Sequence, residues 1–581
     1  MTRGAKGCLL AAGAMVVVLV VVVAAVMMAG GVQKGSVVQL TISGDVVEDA
    51  EDSLQARIFG GNPTLLRDIT GAIGRARKDD RVAGIMAIIR PYSMGLAKVQ
   101  EIRDAIQQFR ASGKWAHVYL DTAGEFSSGN SPYYLATAFD EIWLSPGGDV
   151  NLYGLHGATT FLRGTLDKLG IYPDFDSIGK YKNAKDIYTE KEMTAAHREA
   201  TMMYLKDWYD QIVAGIAEGR KIEPARADAL INEGPFTGSE ALDKGLVDHL
   251  AYFDEYEDAL KKLSGGDLPV LKFKEYLERR GGRSGRSRIA VVTGMGLIVT
   301  GKSSMDPFAG AVMGSETITG ALRQAREDRS IKAIVLRVDS PGGSAVASDL
   351  IWREVQLARK EKPIIISMSD VAASGGYYIS AGANRIVTQP GTITGSIGVV
   401  AGKMVTTGFY EWIGLHREPL QLGNHAAYYY EGKRFSEEEK AIYWKFMHKI
   451  YDKFTGLVAE GRGMTREAVD NVGQGHVWSG TRAKGLGLID ELGGMAKAIE
   501  IAKKEAGISE DEEVRLVYMP EKRSFLQNFL FPEDTSAASA TRVRLPRDLT
   551  ASVQAFSRLQ LLSQEKAFVL ADPLALEGLQ P

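Results

Sequence analysis

The feature that most constrains the fold of this chain is an internal duplication. The segment Gly238–Asp248 (GSEALDKGLVD) resembles Gly480–Asp490 (GTRAKGLGLID). The segment Tyr133–Gly147, which contains YYLA and DEIWLSPG, resembles Tyr377–Gly391, which contains YYIS and NRIVTQPG. Both pairs are about 242–244 residues apart. A near-constant offset of this size indicates two copies of one folding unit.

The boundary between the two copies is also visible. Residues 278–288 (ERRGGRSGRSR) are too polar and too rich in glycine for a core segment. The sequence therefore predicts a first repeat over residues 32–277, this linker over 278–288 and a second repeat over 289–519. The remaining tail, residues 520–581, contains the stretch TSAASAT, and we expect it to be ordered only in part.

Short apolar strands alternate with helices within the copies. Ala333–Val338 (AIVLRV) is apolar apart from Arg337 and is followed by a Pro-Gly turn, which is typical of a buried strand. Ser344–Lys360 then has apolar residues at helical spacing, and Ile364–Met368 is a further apolar run after a proline. Repeated strand–turn–helix units predict the α/β fold class.

The N-terminus carries a long apolar run from Cys8 to Gly31, preceded by Arg3 and Lys6. About 20 apolar residues suffice to cross a bilayer as a helix. Positive charge before the run predicts that this end stays in the cytoplasm. We therefore expect a transmembrane anchor within residues 1–31, with the rest of the chain outside the cytosol. A cleaved signal peptide is the alternative, although its apolar core is usually only about 7–15 residues long.

Charge and motif content argue against nucleic-acid and nucleotide partners. The net charge is −3, so no overall basic field attracts nucleic acid. Gly296–Ser303 (GLIVTGKS) matches the letters of a phosphate-binding loop, but its middle residues are strand-like and Ser304–Pro307 is a poor helix start. We expect no nucleotide, metal or other cofactor.

Two glycine-containing segments of the second copy could support nucleophilic chemistry. Ser374 follows a predicted strand at the start of a helix, near free backbone N–H groups and the positive end of the helix dipole. In Asp339–Gly343 (DSPGG), a glycine pair can turn N–H groups into a cavity. The N–H groups of Gly343 and Gly375 are therefore candidate oxyanion donors, each contributing about 3 kcal/mol. The alternative for Ser374 is a helix start that serves only for packing. The alternative for Asp339–Gly343 is an ordinary Pro-Gly turn.

A serine nucleophile also needs a base. No histidine has a recognisable triad context, and only His425 and His476, in predicted loops of the second copy, are weak candidates. A lysine can act instead if burial lowers its pKa, and serine–lysine pairs are a known variant of the triad. The residues alone do not select one lysine.

Three segments of the second copy resemble the signature blocks of the signal peptide peptidase A family: Asp339–Gly343, Ser374–Tyr378 and Thr394–Gly398. The duplicated length and the apolar N-terminus resemble the long form of that family, also called protease IV. The resemblance covers nearly the whole chain from Val32 to about Met519. It implies a Clp protease/crotonase-like domain in each copy.

The resemblance also implies a catalytic dyad divided between the copies, with Ser374 as the nucleophile. In the long form the lysine comes from a Gly-x-Tyr-Lys-x-Ala segment of the first copy, which Gly179–Ala184 (GKYKNA) matches. Lys182 is thereby implied as the general base, and Ser396 matches a family serine that hydrogen-bonds this lysine. Lys180, two residues before Lys182, is the alternative candidate for the base.

The duplication provides a separate argument for one composite site. At the repeat offset, Ser374 corresponds to Asn130, and Lys182 corresponds to Asn424–Ala426, which contains no lysine. A two-residue gap would instead align Ser128 with Ser374, but Ser128 lacks the preceding Pro-Gly-Gly block. The first copy therefore lacks the serine and the Pro-Gly-Gly block of the second copy, and the second copy lacks the lysine of the first.

The resemblance implies a serine endopeptidase that degrades remnant signal peptides and other apolar or unfolded peptides. It also implies a homotetramer, anchored once in the inner (plasma) membrane with its catalytic part on the periplasmic side. A catalytically decayed membrane scaffold of the same fold is one alternative. A crotonase-type enzyme for acyl thioesters is another, and it would need a coenzyme A pocket.

Overall fold

The computed structural model describes residues 31–49, 63–125, 127–266, 268–279, 285–306, 310–520, 557 and 568–570. The predicted anchor lies outside these residues apart from Gly31, as does most of the predicted tail. Among the described residues, no helix combines the length and the apolar character needed to cross a membrane.

The first repeat is a parallel β-sheet flanked by helices. Its strands are β1 (Ser36–Val47), β2 (Thr64–Leu65), β3 (Val82–Ser93), β4 (Trp115–Leu120), β5 (Glu141–Leu144), β6 (Asp149–Val150), β7 (Tyr172–Ile178), β8 (Phe236–Thr237), β9 (His249–Leu250) and β10 (Val270–Lys272). Its helices are α1 (Leu66–Arg77), α2 (Leu96–Arg110), α3 (Asn130–Ala136), α4 (Arg163–Lys168), α5 (Asp186–Thr189), α6 (Ala195–Arg220), α7 (Pro224–Glu233), α8 (Gly238–Asp243), α9 (Phe253–Leu263) and α10 (Phe273–Arg279). The main sheet of this repeat has the order β10-β1-β3-β4-β5-β9, with β2 paired to β1, whereas β6 and β8 form a separate two-stranded sheet.

The second repeat has the same kind of sheet. Its strands, with one strand from the tail, are β11 (Arg288–Met295), β12 (Leu297–Val299), β13 (Ser304–Asp306), β14 (Gly310–Gly314), β15 (Ile331–Ser340), β16 (Gly342–Ser344), β17 (Ile364–Ala373), β18 (Arg385–Thr388), β19 (Ile393–Gly395), β20 (Val399–Val405), β21 (Val477–Ser479), β22 (Glu491–Leu492), β23 (Arg515–Met519) and β24 (Phe568–Leu570). Its helices are α11 (Ser315–Glu327), α12 (Ala345–Arg359), α13 (Gly375–Ser380), α14 (Thr407–Trp412), α15 (Glu437–Arg462), α16 (Arg466–Val472), α17 (Gly480–Gly485) and α18 (Met495–Glu505).

The duplication predicted from the sequence is present in the tertiary structure. The path β23-β11-β15-β17-β18-β22 has the same order as β10-β1-β3-β4-β5-β9. The long helices α6 and α15 end at equivalent arginines, and each arginine binds an aspartate through two hydrogen bonds: Arg220 binds Asp248, and Arg462 binds Asp490. The mixed α/β class is therefore confirmed for both halves of the chain.

The elements predicted for the second repeat agree with the structure in kind. Residues 333–338 lie inside β15 and are buried, which explains why all of them except Arg337 are apolar. The guanidinium of Arg337 is paired with Glu48 and Glu101 of the first repeat. The strand predicted from Ile364 extends further than expected, to Ala373. The strand-like centre of the phosphate-loop lookalike forms β12, and a strand, β13, follows it where a phosphate loop would continue into a helix.

A third sheet joins the two repeats in the order β13-β14-β12-β16-β24-β20-β7. Strand β7 of the first repeat pairs antiparallel with β20 of the second, from Ile178 opposite Val399 to Tyr172 opposite Val405. The apolar core of the first repeat also includes Val371 and Ala373 of the second repeat. Shared strands and a shared core fix how the repeats are placed against each other, and thus how any site between them is built.

Candidate active site

Ser374 lies at the turn between β17 and α13. Its backbone has φ 55° and ψ −110°, a conformation that residues other than glycine rarely adopt. Such a residue costs roughly 1–3 kcal/mol and persists only where its surroundings hold it. Here the Ser374 N–H donates to Gly395 O at 2.8 Å, and Ser374 O accepts from Tyr378 N at 2.8 Å. The strained turn therefore projects the hydroxyl from the end of the sheet.

Lys182 of the first repeat reaches this hydroxyl. Its Nζ lies 2.7 Å from Ser374 Oγ, and it donates to Ser396 O at 2.8 Å and to Ser396 Oγ at 3.0 Å. All three side chains are almost completely buried. Burial lowers the pKa of Lys182 well below its usual range, because desolvation disfavours the charged ammonium. The structure thus brings together the serine and both residues that were assigned only by resemblance.

A loop of the second repeat contacts the Lys182 segment, and no sequence pattern predicted this contact. Tyr181 N donates to Gln474 O at 2.7 Å. A Cβ added to Gly475 would lie 2.4 Å from Lys182 N, so only a glycine allows the two backbones to approach this closely. The ring of Tyr181 packs on His476, with 4.4 Å between ring centroids. This loop holds Lys182 in place from the opposite repeat.

The two histidines considered from the sequence have other roles. His476 Nδ1 lies 2.7 Å from Val477 O, its ring stacks on Trp478, and burial lowers its pKa. Its backbone carbonyl accepts the N–H of Ser396 at 2.7 Å, so it supports the site through its main chain. His425 is 45% exposed and lies 3.9 Å from Glu438. No hydrogen bond in the described part of the chain joins either ring to Ser374.

The glycines proposed for the oxyanion pocket are adjacent in space. A Cβ added to Gly375 would lie 3.1 Å from Gly343 N. Gly343 has φ 152°, within the region that favours glycine. The hydroxyl of Ser340 fixes the loop, since it donates to Gly296 O at 2.6 Å and accepts from Gly342 N at 3.1 Å. Both candidate N–H groups therefore lie beside the Ser374 turn.

The alternatives named from the sequence, Lys180, Asn130 and Ser128, form hydrogen bonds with groups other than Ser374. Lys180 is exposed, and its Nζ donates to Tyr181 Oη at 2.9 Å and lies 3.6 Å from Glu199. Asn130, at the start of α3, hydrogen-bonds Gly154 O and Tyr153 N through its side-chain amide. Ser128 Oγ accepts from Asn130 N at 3.4 Å. At the position equivalent to Ser374, the first repeat thus carries an amide that holds a loop.

A buried charge cluster next to the oxyanion loop was missed in the sequence. Lys98 Nζ, from α2 of the first repeat, lies 2.7 Å from Asp339 and 2.6 Å from Asp370 of the second. Asp370 also accepts the N–H groups of Gly95 and Lys98 at 3.1 Å, and Asp339 accepts from Val371 N at 3.1 Å. Burial alone would lower the pKa of Lys98, but Asp339, Asp370 and Glu48 together raise it. The only available signal was that both aspartates lie near the carboxyl ends of neighbouring parallel strands.

The chain matches known peptidases over most of its length. The model of peptidase family S49 matches residues 110–266 and again residues 356–509. "Serine protease SPPA, chloroplastic" of Arabidopsis thaliana is 34% identical over 508 residues, which cover 86% of this chain and 73% of that protein. "Protease 4" of Salmonella typhi is 33% identical over 494 residues, covering 80% of this chain and 78% of that protein.

The similarity to solved structures is weaker than the similarity in sequence. The 1510-N membrane-bound stomatin-specific protease matches 41% of this chain and 99% of that chain, with 15% identity and a TM-score of 0.26, too low to support an argument about the fold. The family model and the sequence relatives are sufficient to assign the family. The chain therefore belongs to peptidase family S49, carries the domain of that family twice, and is a serine protease.

Proposed function

We propose that this chain hydrolyses peptide bonds with a serine–lysine dyad composed of Ser374 and Lys182. The observation that carries the proposal is the 2.7 Å distance between Lys182 Nζ and Ser374 Oγ in a buried site. A neutral amine has two N–H bonds and one lone pair. Because the carbonyl and the hydroxyl of Ser396 can accept the two N–H bonds, the lone pair is left for the proton of Ser374.

The reaction then follows from the groups around Ser374. Lys182 takes the hydroxyl proton as Ser374 Oγ attacks the carbonyl carbon of the scissile bond. The N–H groups of Gly343 and Gly375 donate to the developing oxyanion, and Lys182 returns the proton to the departing amine. Water, activated by the same amine, releases the acyl group from Ser374.

Substrate class, membrane location and oligomeric state form a second part of the proposal. We propose that apolar and unfolded peptides, remnant signal peptides among them, are the substrates. We also propose that the chain is held in the inner membrane by residues 1–31 with its catalytic part in the periplasm, and that it forms a homotetramer. The apolar N-terminal run and the family membership support this setting.

Covalent labelling tests the nucleophile directly. A fluorophosphonate probe should modify Ser374, as mapped by peptide mass spectrometry, because phosphonates report serines that an adjacent base activates. The Ser374→Ala variant is the control and should take up no label. An unlabelled Ser374 in a folded wild-type chain would support the alternative of a decayed scaffold.

The pH dependence of labelling tests the base. A base acts only when deprotonated, and burial holds the pKa of Lys182 well below 10.5. The labelling rate should therefore rise with pH through this lowered pKa and level off well below pH 10.5. The His425→Asn variant changes an exposed ring and should keep the same profile. A rise confined to the usual lysine range would contradict the assignment of Lys182.

The Gly343→Ala variant tests the oxyanion loop. The added Cβ would lie 2.1 Å from Ile298 O, so β16 must move away from β12 and carry the N–H of residue 343 with it. We expect kcat for a fluorogenic peptide to fall by about 10²–10³-fold, as for loss of one oxyanion donor. Gly320→Ala, in α11 with nothing within 4 Å of the added atom, should leave kcat unchanged. Equal kcat for both variants would exclude this loop from catalysis.

A further inference from the structure

Three residues around the candidate active site share an uncommon backbone conformation. Among the described residues, those other than glycine with a positive φ are Lys221, Ser374, Ser396 and Gln474. Lys221 follows the long helix α6, and a left-handed residue commonly ends a helix. The other three lie at the Lys182 amine or in the loop that contacts the Lys182 segment. Because backbone strain clusters at functional sites, Gln474 is a candidate for a role in catalysis.

Gln474 carries a side chain at a position where glycine would be the default. Its φ is 48°, in the loop between α16 and β21. A positive φ is unfavourable for a residue with a Cβ and costs glycine nothing. A side chain kept at such a position persists because its contacts offset the strain. The contacts of Gln474 therefore indicate what the loop does.

The side-chain amide of Gln474 bridges the two repeats. Its Nε2 donates to Asp470 Oδ1, in α16 of the second repeat, at 2.7 Å. Its Oε1 accepts the N–H of Lys180, in the first repeat, at 3.3 Å. The hydroxyl of Tyr451 donates to the same oxygen of Asp470, so the acceptor of the amide is itself held. With its nitrogen on Asp470, the amide can only turn its oxygen toward the Lys180 segment.

The main chain of residues 474–476 binds the base segment and also the serine that orients the base. Gln474 O accepts the N–H of Tyr181 at 2.7 Å, so residues 180 and 181 are both tied to Gln474. Two residues further on, His476 O accepts the N–H of Ser396 at 2.7 Å. One loop thus fixes both the lysine and the residue that accepts its hydrogen bonds.

The stem of Lys182 packs closely against this loop. A Cβ added to Gly475 would lie 2.6 Å from Lys182 Cβ, and one added to Gly398 would lie 3.0 Å from Lys182 Cδ. The stem therefore has little free space, and its path depends on where the loop lies. A shift of the loop would move Nζ away from its 2.7 Å distance to Ser374 Oγ. Misplacement of a catalytic group by about 1 Å can lower the rate by about 10²-fold.

We propose that Gln474 is a positioning residue for the general base, and that its amide bridge from Asp470 to Lys180 N holds the Lys182 segment against Ser374. The inference rests on the proposed serine–lysine peptidase function and adds a residue that acts through the main chain of residues 180 and 181. Alignment of the amine matters in the transition state and not in substrate binding. A positioning role therefore predicts a lower kcat with an unchanged KM.

Two substitutions with different effects on backbone strain provide the test. Gln474→Met keeps an unbranched side chain at positive φ without either hydrogen bond, whereas Gln474→Gly also removes the strain. With a fluorogenic apolar peptide, kcat should fall by about 10–10²-fold in both variants, and KM should stay within about twofold of wild type. Lys221→Met and Lys221→Gly are the matched controls, since Lys221 has φ 55° at an exposed helix end. Both controls should keep the wild-type kcat.

The pH dependence of fluorophosphonate labelling adds a readout that a merely structural role would not move. Burial holds the pKa of Lys182 well below its usual range. A base segment that moves toward solvent should regain part of the usual pKa, because less desolvation opposes the charged form. The midpoint of the rise in labelling rate at Ser374 should therefore move to higher pH in both Gln474 variants. It should stay in place in both Lys221 variants.

Asp470→Ala tests the bridge from its other end. The substitution removes the acceptor that orients the amide, so kcat should fall as it does in Gln474→Met. The double variant should lose no more than Gln474→Met alone, because both changes break one bridge. Additive losses would contradict a shared bridge. Thermal melting checks that each variant is folded.

The outcomes separate this proposal from the proposed function. Wild-type kcat in both Gln474 variants, with normal labelling of Ser374, would overturn the positioning role and leave the peptidase function intact. A loss seen only in KM would overturn it as well, since Gln474 would then act in substrate binding. Activity lost in Gln474→Met but kept in Gln474→Gly would show that the bridge is not needed. Failure of every form, wild type included, to hydrolyse peptides or to label Ser374 would remove the proposed function itself.

Discussion

Replacement of Lys182 by methionine should abolish nearly all peptide hydrolysis while the chain stays folded. Methionine is unbranched and apolar, so it can fill the space of the lysine stem without a proton-accepting group. A positioned general base contributes about 10²–10⁴-fold to the rate, and we expect kcat to fall within that range. The measurement is steady-state hydrolysis of a fluorogenic peptide.

Lys180→Met is the matched control, since Lys180 lies two residues away on the same segment with a side chain that is 62% exposed. Its kcat should stay within about twofold of wild type, because surface charges interact weakly with the site. A loss of equal size in both variants would mean that the segment matters for folding and that Lys182 is not the base.

The Lys182→Met variant should be at least as stable as wild type at neutral pH. The folded chain holds this amine at a pKa well below 10.5, whereas the unfolded chain binds the proton up to the usual value. Between the two pKa values the unfolded state binds more protons, so the lysine destabilises the fold at neutral pH, and this cost shrinks as the pH rises toward 10.5. Urea denaturation at pH 7 should find the variant no less stable than wild type.

Lys98→Met should have the largest effect on stability. The substitution leaves Asp339 and Asp370, whose side chains are 19% and 17% exposed, without their cation. Removal of one partner from a fully buried ion pair costs about 3–5 kcal/mol, so we expect a loss of about 3 kcal/mol, the lower end of that range. Urea denaturation measures this loss in the free energy of unfolding. Because Asp339 begins the oxyanion loop, kcat of the folded fraction should fall as well.

An exposed ion pair provides the comparison for Lys98→Met. Arg90 and Asp121 lie 3.3 Å apart, with side chains that are 57% and 58% exposed. Such pairs contribute about 0–1 kcal/mol, so Arg90→Met should leave stability nearly unchanged. Comparable losses in Lys98→Met and Arg90→Met would show that the buried cluster does not hold the repeats together.

The tail is where sequence-based expectation and structure differ most. From the sequence, residues 520–581 were predicted to be ordered only in part, and no strand was assigned there. The structure places Phe568–Leu570 in the sheet beside Ser374. Three apolar residues have too little pattern to indicate a strand, and their partners in β16 are more than 220 residues earlier in the chain.

The sequence by itself determined whatever depends on neighbouring residues. A strand, a sharp turn and a helix start place Ser374, and glycines at 343 and 375 allow close backbone approach, all of which follow from local pattern and turn chemistry. The near-constant repeat offset likewise predicted two equivalent sheets. The turn at Ser374 and the two glycines are local features, because covalent geometry and hydrophobic period act over a few residues. The duplication is visible because two segments of the same chain can be compared directly.

Only the tertiary structure decided which lysine meets the serine in space. Lys182 and Ser374 are 192 residues apart, and their contact depends on the pairing of β7 with β20 and on a glycine at position 475. The lowered pKa of Lys182 has no local cause either, because desolvation is produced by atoms of both repeats packed around the amine. The same holds for Lys98, whose two aspartate partners belong to the other repeat.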